Sequence, residues 1–109
     1  MNESVKVLDE VKQLQVQKAS VYNGGSVKQA EYFPNGMLSI HDMLNTKMLR
    51  IKSILEQTKA DPKYIPEFES LEDSLKDLMN YASFGVAYTR GKLDGQETNK
   101  DLLNRSKQS

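Results

Sequence analysis

Residues 69–88, ESLEDSLKDLMNYASFGVAY, hold Asp73, Asp77, Asn80 and Tyr81 about one helical turn apart. At about 100° per residue these four share one side of a helix with Phe84 and Tyr88. A solvated helix face would normally carry Lys, Glu and Gln at such positions. Two carboxylates one turn apart, followed by an amide and aromatic rings, suit instead a lined pocket or a partner surface. Leu71, Leu75, Leu78, Ala82 and Val86 fall on a second side, which reads as the core face.

Basic residues elsewhere answer those acids. Lys47 lies in the middle of an apolar stripe made of Ile40, Met43, Leu44, Met48, Ile51, Ile54 and Leu55, with Arg50 at its edge. Lys18 repeats the anomaly between Leu14 and Val21. An ammonium on an apolar stripe must snorkel outward, meet a carboxylate or meet an anionic ligand. Two arrangements satisfy the pattern. Either Lys18, Lys47 and Arg50 pair with Asp73 and Asp77 and fix helix register, or the cations hold phosphate while the acids hold a cation or a ribose. His41 is the only histidine and makes no metal site alone. Met37, Met43, Met48 and Met79, at helical spacing or beside a turn, read as core filler or a soft subunit interface.

The elements that must carry these residues are helices. In residues 4–22, Val7, Val11, Leu14, Lys18 and Val21 alternate by four and three, and Asn23-Gly24-Gly25-Ser26 stops the helix. Residues 27–32 suit a short helical turn and Pro34-Asn35-Gly36 a tight one, with Tyr32 and Phe33 anchoring the loop or lining a site. Ser39, with Asp42 three residues on, reads as the N-cap of a helix running to about Thr58. Asp61-Pro62 reads as an N-cap and first-turn pair, and Pro66 as the restart of the next helix. Ser70 and Asp73 offer a second capping box, so that helix starts between Pro66 and Leu71 and ends near Gly91 to Gly95. The predicted fold is all-α: a three-helix antiparallel bundle over 1–95 completed by homo-oligomerisation, then a polar tail or short docking helix over 96–109.

Composition limits the functions. A chain of 109 residues with 38% hydrophobic content supports one lean core and leaves apolar surface for a second subunit. Lys and Arg number 15 and Asp and Glu 15, which argues against a DNA-coating protein. Without cysteine there is no disulfide, thiolate catalysis or Cys-ligated zinc. The start MNESVKVLDEVK lacks a signal peptide's charge and apolar run, and no segment approaches a membrane span, so a soluble cytoplasmic protein is expected. Neither a P-loop nor a dinucleotide fingerprint is present, and one histidine does not support a serine triad.

Three stretches carry a resemblance: Tyr22-Asn-Gly-Gly, Lys47-Met-Leu-Arg50-Ile, and Glu72-Asp73-Ser-Leu-Lys-Asp77-Leu-Met-Asn80-Tyr81-Ala82. Over roughly residues 18–88 the chain resembles the small helical family known as the first nucleotide-modification-associated domain, found mainly in phages and bacteria. Its members show a Tyr-Gly pair, a Lys-x-x-Arg and an acidic run closing in Asp-Leu-x-Asn-Tyr-Ala. The resemblance implies a nucleotide or other phosphate-bearing small molecule as ligand, with Lys18, Tyr22, Lys47, Arg50, Asp73, Asp77, Asn80 and Tyr81 as the binding set. A wider likeness is to the MazG and dimeric dUTPase pyrophosphohydrolases, which hold Mg²⁺ between two acidic pairs on adjacent helices. Glu69, Glu72, Asp73 and Asp77 offer one such pair; the second helix offers Lys47 and Arg50 in place of the other. The expectation is therefore a non-catalytic nucleotide-binding protein that sequesters or senses its ligand, as in viral counter-defence. A Mg²⁺-dependent hydrolase and a helical protein-interaction module are the alternatives.

Overall fold

The computed structural model describes residues 2–22 and 27–97, and of residues 19–22 the backbone alone. Three α-helices and no strand occur among them: α1 (Glu3–Tyr22), α2 (Met37–Ala60) and α3 (Leu71–Thr89). A short 3-10 turn, Gln29–Tyr32, lies between the first two. The fold is an all-α bundle, as the periodicity predicts.

Helices α2 and α3 form its spine and run antiparallel. Ile40, Leu44, Lys47, Ile51 and Ile54 repeat by four and three along α2, and Ser74, Leu78, Tyr81, Gly85 and Tyr88 do so along α3. Such alternation keeps one seam facing a neighbouring helix. Ile40, Ile51 and Ile54 are buried on one side, and Ser74, Gly85 and Tyr88 on the other. At Gly85 a Cβ would stand 3.6 Å from Ile40 Cγ2, an ordinary contact distance.

This corrects the orientation expected of α3. Its leucine and valine side is not the core face: Leu75 is 43% exposed, Val86 50% exposed and Ala82 exposed, while Leu71 and Leu78 are half-buried. The side bearing Asp77, Tyr81, Phe84 and Tyr88 turns inward instead. The α2 stripe narrows likewise, for Met48 is 52% and Leu55 51% exposed. The seam follows the small residues Ser74 and Gly85 and the polar groups paired across it, and Leu75, Ala82 and Val86 are left at its flank.

The caps are partly as expected. Ser70 Oγ accepts from the Asp73 N–H at 3.0 Å and an Asp73 carboxylate oxygen from the Ser70 N–H at 3.2 Å, a complete capping box. Helix α2, however, begins at Met37 and not after Ser39. The turn closed by Gly36 N–H on Phe33 O at 2.9 Å feeds directly into the helix, and Ser39 Oγ accepts from the Asn35 N–H instead. Asp61 closes α2, and its carboxylate accepts from the Lys63 N–H in a local turn. Pro66 does not restart a helix; α3 waits for the Ser70 box.

A compact core sits where the start of α2 meets the end of α3. Phe33, Ile40, Tyr88 and Leu93 are buried together, with Met37, Met43, Leu44, Tyr81 and Phe84 packed around them. Ala30 N–H donates to Asp94 O at 2.9 Å, tying the 3-10 turn to the segment after α3. Gln96 locks that segment by donating to Tyr88 O and accepting from the Leu93 N–H. Among the described residues α1 packs on α3 and not on α2. Val11 is its buried contact, with Val7 and Gln15 half-buried beside it. No helix of the described residues is long and apolar enough to cross a membrane.

Candidate functional site

Two polar constructions meet at Asp77. The first lies in the α2–α3 seam. Lys47, with a side chain 16% exposed, sets its ammonium 2.8 Å from Glu69 Oε1 and 2.8 Å from Asp77 Oδ2. Ser74, fully buried, donates to Glu69 Oε2 at 2.6 Å. Arg50 donates to the Glu69 backbone carbonyl at 3.0 Å, and its Nε stands 3.7 Å from Glu69 Oε2. Glu69 thus collects an ammonium, a hydroxyl and a guanidinium just before α3 begins. Two cations and two carboxylates balance.

Charge and protonation follow from these contacts. Hydrogen bonds from Lys47 and then Ser74 pull the Glu69 carboxyl from its ordinary 4.5 down to about 2. Burial works against the Lys47 charge, but hydrogen bonds and attraction from Asp77 and Glu69 outweigh it and raise its pKa. Both shifts favour the charged forms, so the Lys47 ammonium and the Glu69 carboxylate stabilise each other.

The second construction is an open cavity of about 350 Å³ on the side of the seam that faces α1. Phe33, Tyr81 and Phe84 build its aromatic wall. Phe33 and Tyr81 meet edge to face at 6.3 Å and Tyr81 and Phe84 edge to face at 6.2 Å, while Phe33 and Phe84 are tilted to each other at 5.8 Å. Gln15, Gln29 and Asn80 bring amides to the rim, and Lys18 and Asp77 bring one charge of each sign. Gln15 Nε2 donates to Asn80 Oδ1 at 2.7 Å and to Ser83 Oγ at 2.9 Å, which leaves the Asn80 NH₂ as a donor. Lys18 is exposed and forms no ion pair among the described residues.

The residues singled out from sequence therefore separate. Lys18, Asp77, Asn80 and Tyr81 line the cavity together. Lys47 and Arg50 lie in the seam, engaged by Glu69 and Asp77. Asp73 is spent in the α3 capping box and faces a shallow exposed hollow with Lys18, Phe68 and Lys76. The Tyr22 side chain lies outside the described residues. Sequence reasoning assigned no binding or pairing role to Gln15, Gln29 or Ser74 and weighed Glu69 only as a metal ligand. Ser74 carried a usable signal: it starts the alternation of four and three that marks the seam. Gln15 had a weaker one, as a polar residue one turn after Val11 on the buried side of α1.

The donor set does not fit Mg²⁺. Glu69 has both oxygens engaged, Asp77 is held by Lys47, Asp73 caps its helix and Glu72 pairs with Lys76. Among the described residues no three carboxylates or imidazoles gather as a metal site would require. No family model, curated protein or solved structure matches the chain.

Proposed function

We propose that this chain is a nucleotide-binding protein that holds its ligand in the α1-facing cavity without transforming it. One observation carries the proposal: an aromatic wall, an amide rim and a lysine without an ion pair among the described residues share a cavity of about 350 Å³. That volume lies near the lower end of ligand-sized pockets. Tyr81 or Phe84 would stack on the base, and Asn80 and Gln29 would meet its polar edge. Lys18 would meet phosphate, and Asp77 would accept from a ribose hydroxyl or an exocyclic amine. Lys47 would act indirectly, by holding Asp77 in place.

The motif likeness to a nucleotide-associated family of phages and bacteria supports the same ligand class, and sequestration or sensing suits a site without free catalytic groups. A hydrolase would need carboxylates that these helices commit to other partners. The protein-interaction alternative draws support from exposed Ile65 and Phe68 in the segment before α3.

A thermal-shift screen against linear and cyclic nucleotides, with Mg²⁺ and with EDTA, tests the proposal. Stabilisation in EDTA with the nucleotide recovered intact is expected. Mg²⁺-dependent release of phosphate or pyrophosphate would establish the hydrolase instead. No response to any nucleotide would leave the interaction module.

A further inference from the structure

The amide rim of the cavity has a fixed sense. Ser83 donates its one hydroxyl proton to the Asn80 backbone carbonyl at 2.6 Å. Its oxygen can then only accept, so Gln15 must turn its side-chain nitrogen, not its oxygen, toward Ser83 at 2.9 Å. The same nitrogen reaches Asn80 Oδ1 at 2.7 Å, and that contact too is a donation from Gln15. Rotating the Asn80 amide would set NH₂ against NH₂. With its oxygen taken, Asn80 has only its NH₂ to offer the cavity that it lines. One turn earlier on α3, Asp77 lines the same cavity, and as a carboxylate paired with the Lys47 ammonium it only accepts.

We infer that the cavity selects guanine among the bases, and that Gln15 is the positioning residue that sets this preference by holding the Asn80 amide. The inference rests on the nucleotide reading of the cavity and adds to it the identity of the base. Partners that met neighbouring atoms of a base, such as the amino group and N1 of adenine, would stand within hydrogen-bonding distance of each other. Among the described residues Asp77 and Asn80 are bonded to Lys47 and Gln15, and not to each other. A donor and an acceptor so spaced suit the two ends of a base's pairing edge. Guanine carries the complement: O6 accepts from Asn80, while the 2-amino group and the N1–H donate to Asp77. Adenine has no group at the 2-position, and uracil has an acceptor at each end. Cytosine has the two outer groups, but the lone pair of its N3 would face the carboxylate. Its single ring would also cover less of Phe33, Tyr81 and Phe84.

Calorimetric titration of the full chain in EDTA with linear and cyclic monophosphates of guanosine, inosine, adenosine and cytidine ranks the bases. Guanine should bind tightest, with adenine and cytosine at least about tenfold weaker. Inosine, which keeps O6 and the N1–H but lacks the 2-amino group, should fall between. Gln15→Ala frees the Asn80 amide to rotate and should narrow the guanine-to-adenine ratio several-fold. A merely structural role for Gln15 would instead weaken all four by a common factor. Ser83 is exposed, so Ser83→Ala tests the same lock with little risk to folding and should act in the same direction. Equal affinity for guanine and adenine would overturn the inference and leave nucleotide binding in place. A ratio unchanged in both variants would overturn the role of Gln15. Binding of none of these nucleotides would overturn the inference together with the reading on which it rests.

Discussion

Lys47 carries the largest single commitment in the seam, because its ammonium answers Glu69 and Asp77 together. Removing one partner of a half-buried ionic cluster leaves uncompensated charge, so Lys47→Met should destabilise by about 3 kcal/mol, read as a lowered urea midpoint at neutral pH. Glu69→Gln in that background should recover part of the loss, since the two changes are coupled. The pH dependence has a definite sign. The Glu69 pKa is lower in the folded chain than its ordinary 4.5, so its stabilisation is present above about pH 4.5 and is lost as pH falls toward 2. Lys47 is raised, so its contribution holds below its ordinary 10.5 and is lost as pH climbs past the raised value. Urea midpoints between pH 5 and 2 should fall steeply for the wild type and less so for Lys47→Met. Equal slopes would show that Glu69 owes its low pKa to something else. The sequence made Lys47 legible as a buried cation needing acids, and Asp77 as one of them. Glu69 was harder to place, because it sits before the helix and its approach depends on the path of residues 61–70.

At the scale of elements, the helix count, the Ser70–Asp73 box, the 3-10 turn and the tight turn before Gly36 were all legible, because each depends on a few adjacent residues. The facing of α3 was not. Five aliphatic residues on one side outweigh a mixed polar and aromatic side in any hydrophobic tally, yet packing followed the positions where a small residue admits a neighbour. The two interior glycines separate these effects. Gly36 has φ +61°, and a Cβ there would run into the Tyr88 ring hydroxyl. Gly36→Ala should therefore cost about 2 kcal/mol or more. Gly85 is helical, and its added methyl would meet Ile40 at ordinary contact distance. Gly85→Ala should stabilise by about 0.5–1 kcal/mol through helix propensity. Thermal melts of the two variants should shift in opposite directions. A loss in both would mean that the seam is tighter at Gly85 than its geometry indicates.

For the whole molecule, the α2–α3 pair divides two surfaces of different character. On the α1 side, polar and aromatic groups surround a cavity; on the other, Met48, Leu55, Leu75 and Val86 stand exposed beside Lys52. The predicted site residues that reached the cavity are those on the inward side of α3 together with Lys18, whereas Lys47 and Arg50 were drawn into the seam by Glu69. No spacing rule in one sequence distinguishes these outcomes, since both put a cation beside a carboxylate. Lys18 separates ligand binding from stability, being exposed and outside every ion pair among the described residues. Calorimetric titration of linear and cyclic nucleotides in EDTA, into wild type and Lys18→Glu, therefore tests the central claim most directly. The account predicts saturable binding by the wild type and at least about tenfold weaker binding by the variant, about 1.4 kcal/mol, at an unchanged melting temperature. No binding by the wild type, or equal affinity in the two proteins, would contradict it.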